Sequence, residues 1–467
     1  MIDFAALPWR RSALAWLLAL GFALYFVRLG APVMVREQEL RVALTAREMV
    51  ESGNWLEPRY LGEPRFRKPP LMYWAVAAGY LAAGRTDSAW LARAPSAAAT
   101  LALAATLFAY ARGIAGSRTA SLGTILFLTT FIVLRQGRHA ETDALLILWT
   151  SCAILCGFAT LHRGLHLGWT AAAGLASGLG VLTKGPAALA IPALSWAVAV
   201  ALSPYGRPPL QRTALHLLVW LFLSALLSAP WFLLIIRHPE SPVQLRAELV
   251  ALFTAETRHP GPWYYYFYTA FHALAPWSLV LPFALAASIR LARRRRIERE
   301  SLAWFASAFL LLSLTPSKQI HYALLLAPPA ALLAARWLAR LRDRRFARIR
   351  TAALILVTAG ALTFSLFLST RYRPQQALAD LLRAHRDSLR AAPSVLLVGR
   401  HRGTAEFHAG RPVRDIDNLP EALRLAQSGD WILLTATESA LPDPPPRAER
   451  IGSAESRGFR AELWKIQ

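Results

Sequence analysis

Long apolar runs alternate with short charged intervals along most of this chain. Largely uncharged runs occupy residues 13–29, 91–111, 122–134, 144–161, 169–182, 187–202, 215–236, 263–289, 302–314, 320–338 and 352–369. Runs near 20 apolar residues read as membrane helices, and the shorter runs in the same series read as further crossings. The pattern predicts an α-helical polytopic membrane protein with about 11, and up to about 13, transmembrane helices. Residues 71–83 are apolar but too short for a comfortable crossing, so they are expected to be re-entrant or interfacial.

Threading these runs in order puts the basic bursts on one side. Arg10 and Arg11, Arg112 and Arg118, His162 and Arg163, Arg207 and Arg212, Arg290 with residues 293–296, and Arg340 with Arg342, Arg344 and Arg345 all fall there. Cytoplasmic loops carry such an excess of Lys and Arg. The N-terminus is therefore expected in the cytoplasm, and the first polar loop, residues 31–84, in the periplasm. The N-terminal run lacks a small-residue cleavage site at the right distance, so an uncleaved first helix is expected. Within the loop, residues 38–50 read as an amphipathic helix, Ser52-Gly53-Asn54 as a turn, and the stretch up to Pro69-Pro70 as a basic loop.

After residue 373 the composition changes. Residues 375–389 and 420–427 read as helices, and residues 394–398 and 431–435 as short buried strands. The expected domains are a transmembrane domain over 1–373 and a small C-terminal α/β soluble domain over 374–467, placed in the periplasm. The tail shows no G-x-G-x-x-G, P-loop or zinc spacing, so a lid or docking module is its plainest reading.

Composition agrees with the pattern. Of 467 residues, 55% are hydrophobic and 16 are Trp, which soluble domains rarely combine. The net charge of +24 would admit a nucleic-acid partner. The charge comes in bursts beside apolar runs, with no basic domain carrying an aromatic platform. It is assigned to topology and anionic headgroups, with membrane lipids as partners and no nucleic acid. Cys152 and Cys156 lie four apart in an apolar run with no partnering His or Cys, so they read as small core residues.

The outer loops collect Glu37, Gln38, Glu39, Arg41, Lys68, Arg138, Asp143, Lys184, Arg246, Arg258, His259, Lys318, His321 and Tyr322. Ionisable groups beside a bilayer are functional candidates by default. Cations would bind phosphate oxygens, Arg bidentately and Lys as a point charge. A carboxylate would deprotonate or orient an acceptor hydroxyl. Plainer roles stay open for each. Glu37, Glu39 and Arg41 could be the wet face of an interfacial helix, and Lys68 a headgroup anchor. Asp143 could be a helix N-cap, Lys184-Gly185-Pro186 a helix break, and His259 and His321 loop residues. No ligand spacing specifies a metal; a divalent cation remains a candidate cofactor.

In order along the chain stand Gln38-Glu39-Leu40-Arg41-Val42-Ala43, Ser52-Gly53-Asn54-Trp55, Lys68-Pro69-Pro70-Leu71-Met72-Tyr73-Trp74, Arg138 to Asp143, and Leu182-Thr183-Lys184-Gly185-Pro186. Pro230-Trp231, the block from His259 to Tyr265, Pro276-Trp277, and Ser317-Lys318 followed by Tyr322 come after. This ordered set, spanning roughly residues 13–338, resembles the GT-C fold membrane glycosyltransferases of the protein-mannosyltransferase and aminoarabinose (lipid A) transferase type.

The resemblance implies transfer of a sugar from a polyprenyl-phosphate-linked donor. The acceptor would be lipid A, another glycan or protein, on the periplasmic face of a bacterial inner membrane. It implies Arg41, Lys68, Arg258 and Tyr322 as ligands of the donor phosphate. Asp143, Glu39 and Glu37 are the catalytic carboxylate candidates, with Gln38, Arg138, Lys184, His259, Lys318 and His321 as further pocket residues. The family's first loop usually reads Asp-Glu-x-Arg-Tyr-Ala, and its Asp is the presumed catalytic group. Here that position is Gln38, and the Glu that often precedes Lys-Pro-Pro is Arg67. Gln38 keeps a second expectation open, a non-catalytic relative that binds polyprenyl-phosphate glycans beside an active transferase. A transporter would want mid-bilayer charges and repeated halves, and neither is visible.

Overall fold

The computed structural model describes residues 12–162, 166–204, 209–253, 259–341, 343–367, 375–436, 441, 443–456 and 459–467. Arg10 and Arg11, which oriented the first span, lie outside them. In chain order the first helices are α1 (Ser12–Tyr25), α2 (Glu37–Ser52), α3 (Leu71–Ala83), α4 (Ala89–Ala115), α5 (Ser117–Thr129), α6 (Phe131–Gln136) and α7 (Asp143–His162). They continue with α8 (Leu167–Lys184), α9 (Ala187–Ala201), α10 (Leu210–Ile235), α11 (Glu240–Phe253), α12 (Tyr265–Ala273), α13 (Leu281–Leu291) and α14 (Arg296–Leu314). The last are α15 (Ala327–Arg340), α16 (Arg344–Leu366), α17 (Gln376–Ala384), α18 (Arg386–Ala391), α19 (Arg402–Ala409) and α20 (Leu419–Leu425). The strands are β1 (Arg59–Tyr60), β2 (Glu63–Pro64), β3 (Val395–Val398), β4 (Arg414–Ile416), β5 (Trp431–Ala436), β6 (Ala448–Ser456) and β7 (Phe459–Ile466).

The chain forms two compact units. One comprises Met1–Leu29, Arg65–Met72 and Arg93–Leu366; the other comprises Gly30–Pro64, Tyr73–Ala92 and Phe367–Gln467. Among the described residues, α4, α7, α10, the Ile320–Arg340 stretch and α16 are long and apolar enough to cross a membrane. Residues of α1, α3, α9 and α13 form shorter apolar helices.

In the first unit the helices pack where small residues allow close approach. A Cβ on Gly178 would stand 3.0 Å from both the Leu227 Cβ and the Ser224 carbonyl, so α8 and α10 meet almost backbone to backbone. Such small-residue contacts drive helix association in lipid. The seam is pinned by Trp220 Nε1 donating to Ser177 Oγ at 2.9 Å and Ser224 Oγ donating to the Gly174 carbonyl at 3.0 Å. The opposite face of α10 leaves Leu218, Phe222, Leu226 and Leu233 exposed, a surface suited to hydrocarbon.

Several long runs are broken by specific residues. Residues 122–134, expected as one span, divide into α5 and α6 at Thr130, whose backbone is extended. The Thr129 and Thr130 hydroxyls bond back to the Ile125 and Leu126 carbonyls at 2.6 and 2.7 Å, which competes with helix continuation. The Phe131 amide then donates to the Ala275 carbonyl at 2.9 Å. Residues 263–289 are not one span either; α12, a 3-10 turn over Trp277–Leu279 and α13 replace it. The interval 237–262, expected as a loop, contains α11.

Two of the basic bursts are partly consumed by ion pairs. Glu298, buried, pairs with Arg336 at 3.0 Å and with Arg340, while Glu300 pairs with Arg296 at 2.9 Å and accepts from the Tyr110 hydroxyl.

In the second unit β4-β3-β5-β7-β6 form one sheet, with β3 parallel to both neighbours and β7 antiparallel to β5 and β6. Alternation decides which side each residue feeds. Val395, Leu397, Trp431 and Leu433 pack with Leu378 and Leu382 of α17 and Ala405 of α19, while Leu396, Ile432 and Leu434 pack with Ala422 of α20. Both faces are covered, as parallel strands require. The expected strands at 394–398 and 431–435 are present. The segment 375–389 is two helices rather than one, and β4, β6, β7 and α19 were not foreseen. The sequence of β6, AERIGSAES, carries no apolar alternation, and its pairing with β7 supplies what the sequence lacks.

Most of the first polar loop, Gly30–Pro64 and Tyr73–Ala92, belongs to this same unit. Arg47 of α2, 5% exposed, donates to the carbonyls of Thr86, Glu406 and Phe407 at 3.3, 3.1 and 3.4 Å. Glu48 accepts the Leu61 and Gly62 amides at 2.7 and 3.2 Å, which closes the β1–β2 hairpin. His408 is buried, accepts from Arg383 Nε on Nδ1 at 3.2 Å, and meets the Met34 carbonyl through Nε2 at 2.9 Å.

Two predictions follow from this packing. Gly178→Val should destabilise the purified protein by about 1–3 kcal/mol through overpacking, read as a lower melting temperature in detergent. Burial, with Arg383 adding to it, pulls the His408 pKa down to about 3 from 6.5. Its contribution is therefore complete above pH 6.5 and lost as pH falls toward about 3, because the unfolded chain takes up the proton first. Melting temperature should decline over that window, and His408→Phe should flatten the decline.

Candidate active site

The α8–α9 connection is tight. Lys184 ends α8, Gly185 takes φ +90°, and α9 begins at Ala187. That left-handed corner favours glycine and fixes the lysine at the helix end. Asp143 opens α7, and Lys184 Nζ meets its Oδ1 at 2.6 Å with both side chains largely buried. The same ammonium lies 4.7 Å from the centre of the Tyr322 ring, a cation–π geometry. His321 stacks edge-on against Tyr322 at 4.7 Å, and Gln319 Nε2 donates to the Tyr322 hydroxyl at 3.4 Å. Lys68 and His321 both stand within electrostatic reach of the Asp143 carboxylate, and Glu141 within reach of Lys184.

Lys68 is positioned by a helix that the sequence pattern concealed. Gln244 of α11 accepts the Phe66 amide at 2.9 Å, and the Phe66 ring lies 4.8 Å from the His238 ring. Glu240, one turn earlier, accepts from Gln244 Nε2 at 3.1 Å. The loop leading into Lys68-Pro69-Pro70 is thus held from outside its own sequence neighbourhood. No apolar periodicity marks Gln244 for this role.

Two expected pocket cations are committed elsewhere. Arg138 is buried and its guanidinium donates to the carbonyls of Leu24, Val27, Arg28 and Ser365, tying the end of α1 to α16. The Lys318 ammonium donates to the Leu312 and Ser313 carbonyls at 2.7 and 2.6 Å, so it closes the C-terminus of α14. Free carbonyls at helix ends need such donors. Both residues give these donors to backbone carbonyls. The His259 carbonyl accepts the Lys318 amide at 2.8 Å, and its side chain is exposed. Arg258 lies outside the described residues.

The carboxylate candidates of the first loop lie on α2 in the second unit. Glu37 is exposed, pairs with Arg41 Nε at 3.1 Å and accepts the Tyr60 hydroxyl at 2.9 Å. Gln38 is exposed and Glu39 is buried, as expected for neighbours about 100° apart on a helix.

Chemically, the first-unit cluster sets Asp143, with Glu141 further off, against Lys184, Lys68 and His321. Ammonium groups held in this way can bind phosphate oxygens. Among the described residues no group of three His, Cys, Asp or Glu stands together to hold a metal ion, so no step is assigned to one.

The family profile described as dolichyl-phosphate-mannose-protein mannosyltransferase matches residues 67–232. An undecaprenyl phosphate-alpha-4-amino-4-deoxy-L-arabinose arabinosyl transferase of Sodalis glossinidius is 31% identical over 400 residues, covering 80% of this chain and 70% of that protein. The chain belongs to the undecaprenyl-phosphate-aminoarabinose arabinosyl transferase family. A Proteus mirabilis member is 31% identical over 332 residues, covering 69% of this chain and 59% of that protein, so the chain spans about six tenths of that relative's length. The crystal structure of ArnT from Cupriavidus metallidurans bound to undecaprenyl phosphate superposes with a TM-score of 0.79 at 20% identity, over 96% of this chain and 97% of that one. The fold is the GT-C fold of this family.

The Asp143–Lys184 pair yields a direct test. Removing one partner of a buried pair costs about 3–5 kcal/mol, because the other charge is left uncompensated. Lys184→Met alone should lower the melting temperature sharply, and Asp143→Asn with Lys184→Met should recover most of the loss. Equal melting temperatures for the single and double variants would show that the pair is not coupled.

Proposed function

We propose that this chain is an inverting glycosyltransferase that moves a sugar from a polyprenyl-phosphate donor to an acceptor on the periplasmic face of the inner membrane. The donor class is read as undecaprenyl phosphate carrying 4-amino-4-deoxy-L-arabinose or a closely related sugar. The acceptor is lipid A, another glycan or protein. The observation that carries this reading is the gathering of Lys184, Lys68 and Tyr322 about Asp143 in a chain of this family. The names of the relatives and the lipid bound to the Cupriavidus protein support the donor.

The roles follow from charge. Lys68 is assigned to donor phosphate oxygens with Tyr322 of the same unit, and Arg41 carries the same assignment from its place in the first-loop motif alone. As the bond from anomeric carbon to phosphate oxygen breaks, the leaving phosphate gains charge, and fixed cations stabilise it without reorganising. A carboxylate takes the proton of the acceptor hydroxyl. Glu39 and Glu37 are the candidates on α2. Asp143 is held by Lys184 and serves to fix that ammonium against Tyr322.

The topology that accompanies this reading puts the N-terminus in the cytoplasm, with about 11 crossings. Residues 31–84 and a C-terminal domain over 374–467 are placed in the periplasm.

A second reading rests on Gln38. It stands where the family's motif has its presumed catalytic Asp, it cannot take a proton, and its neighbour Glu37 is already engaged by Arg41 and Tyr60. On that reading the chain binds polyprenyl-phosphate glycans beside an active transferase.

Transfer by purified protein from a panel of polyprenyl-phosphate sugars separates the two. Wild type should transfer, and Lys68→Ala and Arg41→Ala should each lose about 10²–10³ in rate, the scale of one lost transition-state donor, while melting as wild type does. Wild-type turnover in both variants would sink the phosphate assignment. Loss in Glu39→Ala or Glu37→Ala would identify the working carboxylate. An inert wild type that gains activity with Gln38→Asp would establish the binding role.

A further inference from the structure

The β1–β2 hairpin carries one side chain that the transfer reading leaves without a role. The Tyr60 hydroxyl donates to Glu37 Oε1 at 2.9 Å, and Arg41 Nε donates to the same oxygen at 3.1 Å. One carboxylate oxygen thus links the hairpin to the guanidinium assigned to donor phosphate. Glu37 and Arg41 lie one turn apart on α2, with side chains 53% and 32% exposed. An exposed pair of this kind holds its side chains only weakly. A second donor from a stiff aromatic side chain restrains the carboxylate further, because tyrosine has few torsions to order.

Tyr60 is itself held in place by α2 and α19. Glu48 of α2 accepts the Leu61 and Gly62 amides at the hairpin turn. Arg402, in the first turn of α19, donates from Nη2 to the Leu61 carbonyl at 3.3 Å. The next residue, Gly403, packs directly on the tyrosine. A Cβ there would stand 2.6 Å from the Tyr60 hydroxyl, and the next nearest atoms, on Leu40, are 3.7 Å away. Gly403 is helical, so no left-handed backbone calls for glycine here. Alanine would suit the helix better. What glycine supplies is room, and a single hydroxyl group fills it. Glu37 also stands within electrostatic reach of His401, which precedes α19.

We propose that Tyr60 is a positioning residue that fixes the Glu37–Arg41 pair, and that Gly403 of the C-terminal sheet domain sets the place of its hydroxyl. This role rests on the reading of Arg41 as a donor-phosphate ligand. It gives α19 a share in aiming that ligand, beyond the lid or docking role expected of the tail. A guanidinium already aimed needs no reordering when phosphate arrives.

The test is binding of undecaprenyl phosphate to the full chain in detergent, titrated by calorimetry and therefore independent of turnover. Lost folding lowers the number of binding sites and leaves Kd as it was, whereas lost positioning raises Kd at unchanged stoichiometry. Arg41→Ala should raise Kd about tenfold, and Tyr60→Phe, which removes only the hydroxyl, about threefold. Gly403→Ala should raise Kd as Tyr60→Phe does and lower the melting temperature. In the Tyr60→Phe background Gly403→Ala should change neither, because the atom it would strike is gone. Arg424→Gln, an exposed arginine on α20, should bind as wild type does. If Gly403→Ala does not fold, Tyr60→Phe and the double variant carry the test. An unchanged Kd in Tyr60→Phe beside a raised Kd in Arg41→Ala overturns the positioning role and leaves the phosphate reading standing. An unchanged Kd in Arg41→Ala, or no binding by wild type, overturns that reading and this role with it. Equal losses from Gly403→Ala with and without the hydroxyl overturn the link from Gly403 to Tyr60.

Discussion

A polar group buried away from water must find its partner inside the protein. Much of the first unit follows from that constraint. Arg138 gives its guanidinium to four backbone carbonyls, and Lys318 gives its ammonium to two more. Glu298 and Glu300 each sit under arginines. Thr129 and Thr130 turn their hydroxyls back onto the helix they end. Once those groups are accounted for, the charges in electrostatic contact with Asp143 stand out: Lys184, Lys68 and His321. Glu141 stands within reach of Lys184 beside them.

That cluster is held by backbone features more than by the charged residues themselves. Gly185 permits the corner that ends α8 at Lys184. Gln244 of α11 fixes the strand of chain before Lys68. Tyr322 supplies a ring for the ammonium rather than a counter-charge. A phosphate arriving here would meet cations already in place, which is the condition for stabilising a leaving phosphate at little cost.

The second unit solves a different problem. Its sheet buries both faces under α17 and α19 on one side and α20 on the other. Arg47 then ties the first-loop helix α2 to the carbonyl end of α19. The loop that carries Glu37, Gln38, Glu39 and Arg41 is therefore built onto the C-terminal sheet domain, although more than 300 residues separate Arg47 from Glu406 in sequence. The sequence suggested a detached tail because nothing local marks Arg47 as buried.

The sequence by itself determined the helical class, most helix positions, the two central strands and the family. Apolar runs and ordered motifs are local signals, and each is written in consecutive residues. It also indicated that Asp143, Lys184, Lys68, His321 and Tyr322 were chemically interesting, since charge near an apolar run is conspicuous. Only the tertiary structure decided which charged residues face one another and which serve the backbone. Arg138 and Lys318 look like ligands in sequence and act as carbonyl donors in space. The polar β6 and the helix α11 likewise depend on partners far along the chain. A residue's role at depth is set by the nearest unsatisfied group, and that neighbour is chosen by folding.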